Sequence, residues 1–167
     1  TLSAGHQGVV QIGGGTGFIV RGNLVVTALH CADKSVEDVG GVRATLVWKQ
    51  KMQPQASSKN ILSDGVAVYR LDGGPYKGLR LAKSAANGDK VRCVGYAGGR
   101  YGVKTGVLRG GDGENYNQTS FVAQPGDSGS PVLNSDGDVV GVVLASNPQS
   151  GTVVVGLRRM SQAVDNA

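Results

Sequence analysis

Apolar residues recur along this chain in short runs, several of them with every second position hydrophobic. They span 8 to 12, 16 to 21, 23 to 28, 42 to 49 and 66 to 71, then 90 to 96, 103 to 109, 119 to 123, 130 to 134, 138 to 145 and 152 to 158. Val, Ile, Leu and Thr fill them, and turn-forming stretches such as Arg21-Gly22-Asn23, Gly40-Gly41 and Ser135-Asp136-Gly137 lie between. β-branched side chains pack well on a pleated surface and glycine supplies the backbone angles of tight turns, so the pattern predicts an all-β chain. The tail is the exception. From Arg159 to Asn166 the residues Met160, Ala163 and Val164 fall on one helical face, which predicts a short C-terminal helix.

The segment Leu71 to Asp89, "LDGGPYKGLRLAKSAANGD", interrupts the strand pattern with Gly, Pro and small polar residues and leaves comparable strand sets on either side. Strand counting therefore divides the chain into an N-terminal β-barrel at 1–75, a linker at 76–88 and a C-terminal β-barrel at 89–167, with both barrels antiparallel and no sequence repeat between them. A length of 167 residues suits one such unit with a proper core. The 28 glycines are spread along the whole chain, which fits many short strands and argues against disorder. Val139 to Ala145, the longest apolar run, is far too short to cross a bilayer, so no membrane contact is expected of this segment. The opening "TLSAGHQGVV" has no charged region followed by an apolar one, and no signal peptide is expected in it.

The stretch that bears on chemistry is "QPGDSGSP", Gln124 to Pro131. A serine hydroxyl is a poor nucleophile near neutral pH and needs a base for its proton and donors for the oxyanion formed after attack. Gly126 lets the backbone turn so that the N–H groups of Gly126 and Ser128 converge, across Asp127, on one point, while Gly129 keeps the far side of Ser128 clear. A bare strand turn also accounts for Gly and Asp here, but it predicts nothing elsewhere. Elsewhere there is "VVTALHCAD", Val25 to Asp33, which puts His30 at the end of a β-branched strand. The other histidine, His6, lies near a chain end.

Together "TALHC" and "GDSGSPV" resemble the chymotrypsin-like serine proteases, in which a His at the end of an early strand and a Ser in a Gly-Asp-Ser-Gly turn come from two barrels of one enzyme. "GGTGFIV" upstream of His30 and "GVVLAS" downstream of Ser128 extend the resemblance. It implies acyl transfer from a polypeptide substrate to water, with a carboxylate between His30 and Ser128 completing the triad. "SDGVAVYRL" offers Asp64 at the start of a strand. Val66 stands two positions later, where the family usually has a small residue. Asp72 is the rival, but it leads into Gly-Gly-Pro, and Asp33 and Asp38 are read as surface loop residues. The α/β-hydrolase motif G-x-S-x-G fails at Ser130.

The resemblance also puts Val122, Ala123 and Gln124 on one wall of the pocket for the residue before the scissile bond and Val143, Leu144, Ala145 and Ser146 on another. No acidic residue lies at its floor, so an uncharged or apolar side chain is expected there. Cys31 and Cys93 lack the partners of the family's disulfides, and both are expected to be free, buried thiols. Small size and no disulfide point to proteases like those of arteriviruses, astroviruses and sobemoviruses, which cut a polyprotein at specific sites in the host cell cytoplasm. A secreted or periplasmic bacterial trypsin-like protease is the alternative.

The net charge is +5, and residues 1 to 83 hold all of the excess, with ten Lys and Arg against five acids. The charges are scattered, and only "YAGGRYGVK", Tyr96 to Lys104, mixes aromatic and basic residues as a nucleic-acid surface does. A protease-like module that binds RNA or acts as a scaffold is therefore the expectation from another class. No cofactor or metal is expected: two His and two Cys far apart do not make a zinc site, and "GGDGEN" at Gly110 to Asn115 lacks calcium-loop spacing.

Overall fold

The structure, a computed structural model, describes residues 8–50, 65–111, 116–147 and 151–167. Strands β1 (Val9–Ile12), β2 (Gly15–Val20), β3 (Leu24–Ala28), β4 (Val36–Val39), β5 (Val42–Lys49) and β6 (Val66–Leu71) form one six-stranded antiparallel sheet in the order β1-β2-β3-β6-β5-β4. It curls until β1 and β4 touch without a ladder between them. Strands β7 (Lys90–Gly95), β8 (Gly102–Gly111), β9 (Tyr116–Thr119), β10 (Pro131–Leu133), β11 (Val139–Asn147) and β12 (Gly151–Val155) close into a barrel in the order β10-β11-β12-β9-β8-β7. Helix α1 (Leu157–Asn166) ends the chain. The all-β, two-barrel plan expected of the sequence is the one observed.

The strand period of two explains how the chain fills three cores. Successive side chains point to opposite faces. In β2, β3 and β6 one set, Ile19, Val25, Tyr69 and Leu71, fills the inside of the first sheet with Val10, Val39 and Val42. The alternate set, Phe18, Val20, Val26, Val66 and Val68, faces the second barrel and meets Val94, Leu133, Val142, Leu144 and Val155 there. Every residue of β2 and β3 is consequently buried. The interior of the second barrel is held by Val91, Leu108, Val132, Val140, Val143 and Val154. Helix α1 lays Leu157, Met160, Ala163 and Val164 onto the cluster between the barrels. It begins two residues before the expected span, because Gly156 takes an extended conformation that ends the last strand and caps the helix.

Two strands depart from expectation. β4 was not visible in the apolar pattern, since Val36 and Asp38 are exposed and only Val39 is buried. The run at 119 to 123 leaves the ladder after Thr119, and Phe121 and Ala123 are held by one side chain. The Thr152 hydroxyl donates to Phe121 O and accepts from Ala123 N, both at 2.8 Å.

The residues between β6 and β7 are sewn to both sheets. Tyr76 N donates to Gly22 O and Leu79 N to Ile19 O on one side, while Ala82 N donates to Val139 O and Arg80 O accepts from Val139 N on the other. A more central connection runs through Thr16, which is fully buried. Its N–H donates to Ser128 O (2.8 Å), its hydroxyl donates to Gly126 O (2.7 Å) and accepts from Tyr96 N (3.0 Å), and its carbonyl accepts from the Thr27 hydroxyl (2.8 Å). One residue of β2 thus engages three segments. Replacing Thr16 with Val keeps the shape and strands Gly126 O and Tyr96 N, a cost of about 2 kcal/mol that urea denaturation will show as a lower midpoint with an unchanged slope.

Candidate active site

Ser128 sits in a tight turn that its own neighbours shape. Asp127 N donates to Gln124 O and Ser130 N to Asp127 O, each at 2.9 Å, and Gln124 N donates back to the Asp127 carboxylate at 3.0 Å. Asp127 is 2% exposed, and a buried carboxylate needs a counter-charge. Lys104 supplies it from β8, with Nζ 2.8 Å from Oδ2. Sequence reading missed Lys104. The signal was present in phase: along β8 Lys104 has the same parity as the buried Leu108, while Val103 beside it is 53% exposed, so an inward lysine alternates with an outward valine.

Glycine is obligatory at two places in this turn. Gly126 has φ +100° and Gly129 φ +88°, a region that L side chains rarely adopt. Space forbids a side chain as well. A Cβ at Gly126 would come against Tyr96 O and Gly98 N, and one at Gly129 against Thr16 O, the Thr27 hydroxyl and Ala28 N. Gly129 therefore packs onto the end of β3, where the chain enters the turn that carries His30.

That turn is a single 3-10 turn, Leu29–Cys31, in which His30 is exposed and Cys31 buried. It is fixed at both ends: Leu29 N donates to Gly65 O at 2.8 Å, and the Cys31 thiol reaches Ser128 O at 3.9 Å. The turn with His30 and the turn with Ser128 are thus adjoining segments from different sheets. The Ser128 hydroxyl donates to Leu144 O at 3.3 Å. The N–H groups of Gly126 and Ser128 have no acceptor among the described residues, whereas that of Asp127 is taken by Gln124 O. Of the three residues expected to line an oxyanion hole, Asp127 thus contributes its carboxylate to the turn and no donor to the opening. Asp64 lies outside the described residues, which resume at Gly65.

The model of the trypsin-like peptidase domain matches residues 15–142, which include both turns. The chain belongs to the trypsin-like peptidase family. It is a chymotrypsin-like serine peptidase in fold and class, and a polypeptide substrate goes with that class. Two crystal structures of the inactive form of Rv3671c from Mycobacterium tuberculosis H37Rv are similar to it. For one, a serine-to-alanine mutant, the TM-score is 0.75 at 22% identity, covering 95% of this chain and 85% of that one. For the other, described as a protease, the values are 0.75, 23%, 95% and 88%. At such identity the likeness is one of fold.

Around the peptidase's expected substrate pocket, the side chains divide. Val122, Gln124, Ala145 and Ser146 are exposed and Ala123 is buried. The side chains of Val143 and Leu144 are buried in the cores. Val143 belongs to the barrel interior and Leu144 to the cluster between the barrels, because β11 is covered on both faces there and leaves only backbone near Ser128.

Both thiols of the peptidase are free and buried, as expected. Burial, helped by the nearby Asp127 charge, pushes the Cys93 thiol up to about 12 against the opposing influence of Ser130 and Lys104. Two measurements follow from these groups. Lys104→Met leaves Asp127 buried and unpaired, and urea denaturation should register a loss of about 3 kcal/mol. Cys93 is a neutral thiol in both folded and unfolded chains well below pH 9. Between pH 9 and about 12 the unfolded chain alone releases its proton, so stability falls as pH rises through that window, by at most about 1.4 kcal/mol per pH unit. Denaturation of wild type and Cys93→Ala across the window isolates that slope.

Proposed function

We propose that this peptidase cleaves internal peptide bonds through an acyl-enzyme formed on Ser128, with His30 as general base and then general acid and Asp64 orienting the imidazole. The observation that carries this reading is the packing of the Ser128 turn onto the end of β3. Ser128 O accepts Thr16 N, Gly129 lies against Ala28 N, and Cys31 reaches Ser128 O, so the turns of His30 and Ser128 are neighbours held by buried contacts. The hydrogen bond between Leu29 N and Gly65 O supports Asp64 as the third member, since it ties the residue after Asp64 to the residue before His30.

The chemistry then runs in two halves. His30 takes the hydroxyl proton as Ser128 attacks the peptide carbonyl, and the oxyanion is received by the N–H groups of Gly126 and Ser128, which are worth about 3 kcal/mol each. His30 gives its proton to the leaving amine. Water enters and the same proton transfers, in reverse order, release the acyl product. The residue before the scissile bond lies beside Val122, Ala123 and Gln124 on one side and Ala145, Ser146 and the Leu144 backbone on the other, an uncharged setting that suits an uncharged side chain.

Of the two settings expected, a bacterial protease, secreted or periplasmic, is the one we carry, because the similar solved structures are those of a mycobacterial protease. Nothing in the comparisons supports viral polyprotein processing. A module that binds RNA without catalysis has less support, since a buried ion pair behind Ser128 and two unengaged N–H groups in front of it have no use in such a role.

A serine-directed fluorophosphonate should label wild type at Ser128 and leave Ser128→Ala unlabelled; absence of the adduct in folded wild type would sink the proposal. On any cleaved peptide, Ser128→Ala and His30→Ala should each lose on the order of a millionfold in turnover and Asp64→Asn roughly ten-thousandfold, as in other serine proteases.

A further inference from the structure

A polar groove of about 430 Å³ opens between the two sheets, beside the Ser128 turn. Its near end is Gly15. A Cβ there would come within 2.7 Å of Ser128 O, so this lining residue packs directly on the Ser128 backbone. The β1–β2 turn supplies the floor with Gly13 and Gly14, and the space around Gly14 is open. Tyr96 and Gly99 form the wall from the second barrel, and Gln11 spans the gap with its side-chain amide 3.5 Å from Gly99 O. Asp38, exposed within β4 and not in a loop as expected, carries the only formal charge among the lining residues.

Ser128 lies between this groove and the expected pocket. Its carbonyl faces Gly15 and Thr16, while its hydroxyl is directed at Leu144 O, next to Ala145 and Ser146. If the acyl half of a peptide occupies the Leu144 side, the half that departs as the amine must leave by the other. The open space beside Gly14 admits an extended chain close to the backbone there. One Asp38 oxygen accepts Gly41 N at 2.9 Å, which fixes the carboxylate and leaves the other oxygen with no hydrogen-bond partner among the described residues. Arg43, its register partner on β5, makes no ion pair with it among those residues.

We propose that this groove holds the substrate segment that follows the scissile bond, and that Asp38 selects a cationic side chain there. The inference rests on the protease reading and adds to it a residue that sets specificity. The test uses internally quenched peptides with one fixed sequence before the scissile bond and Lys, Gln or Glu at each of the first three positions after it. Wild type should prefer Lys to Glu at one of these positions by about tenfold in kcat/KM, the size that an exposed charge contact allows, and the preference should shrink in high salt. Asp38→Asn retains a carbonyl for Gly41 N, so the turn persists, and its preference should fall to about twofold or less. Equal cleavage of the Lys and Glu peptides by wild type, or an undiminished ratio in Asp38→Asn, overturns the assignment of Asp38 while peptide cleavage itself upholds the protease reading. No cleavage of any peptide, together with no fluorophosphonate adduct, overturns both.

Discussion

The contact on which this architecture turns is the set of four hydrogen bonds made by Thr16. A site built between two sheets needs more than adhesion. The apolar cluster that joins the sheets is large but non-directional, and it would tolerate small slides of one barrel on the other. Buried hydrogen bonds supply what burial lacks, because each loses its full value if the partner moves away. Thr16 ties β2 at once to the turn of Ser128, to the start of the Tyr96 segment and to the strand leading to His30. The relative position of the two candidate catalytic side chains follows from that one buried threonine and from the glycines that let the backbones approach it.

The second constraint is electrostatic. Asp127 is buried immediately before Ser128, and its carboxylate caps its own turn as well as pairing with Lys104. Such a pair adds little net stability over an apolar pair of the same shape, but removal of either member is costly. Its effect here is geometric: it holds the turn in the shape that leaves the Gly126 and Ser128 N–H groups without an acceptor among the described residues. Cys93, register partner of Lys104 on β7, closes the cluster as a neutral thiol.

Much of this was legible in the residues. The alternation of Val, Ile and Leu gave most strands, and the two motifs around His30 and Ser128 picked out segments that the fold then brings side by side. What stayed hidden depended on closure of the sheets. Lys104 reads as an ordinary surface lysine until β8 is wrapped against β7 and its parity turns it inward. The burial of Val143 and Leu144 stayed out of view because a strand in isolation does not reveal that both of its faces are covered. β4 escaped notice for the opposite reason, having almost no buried face to betray it. Asp64 lies outside the described residues, and the Gly65 carbonyl that follows it in the chain accepts Leu29 N.

The segment Phe121 to Ala123 hangs from the second barrel by the Thr152 hydroxyl instead of a ladder. A wall held by one hydroxyl and by the burial of Phe121 and Ala123 can be moved without unpicking a sheet. Exchange at position 152 for a residue of another length or polarity would act on Val122, between Phe121 and Ala123, while Gln124 stays tied to Asp127 and the Ser128 turn stays anchored through Thr16 and Lys104. Recognition and bond-breaking are thereby mounted on separate fasteners, so this scaffold can drift in what it cuts while conserving how it cuts.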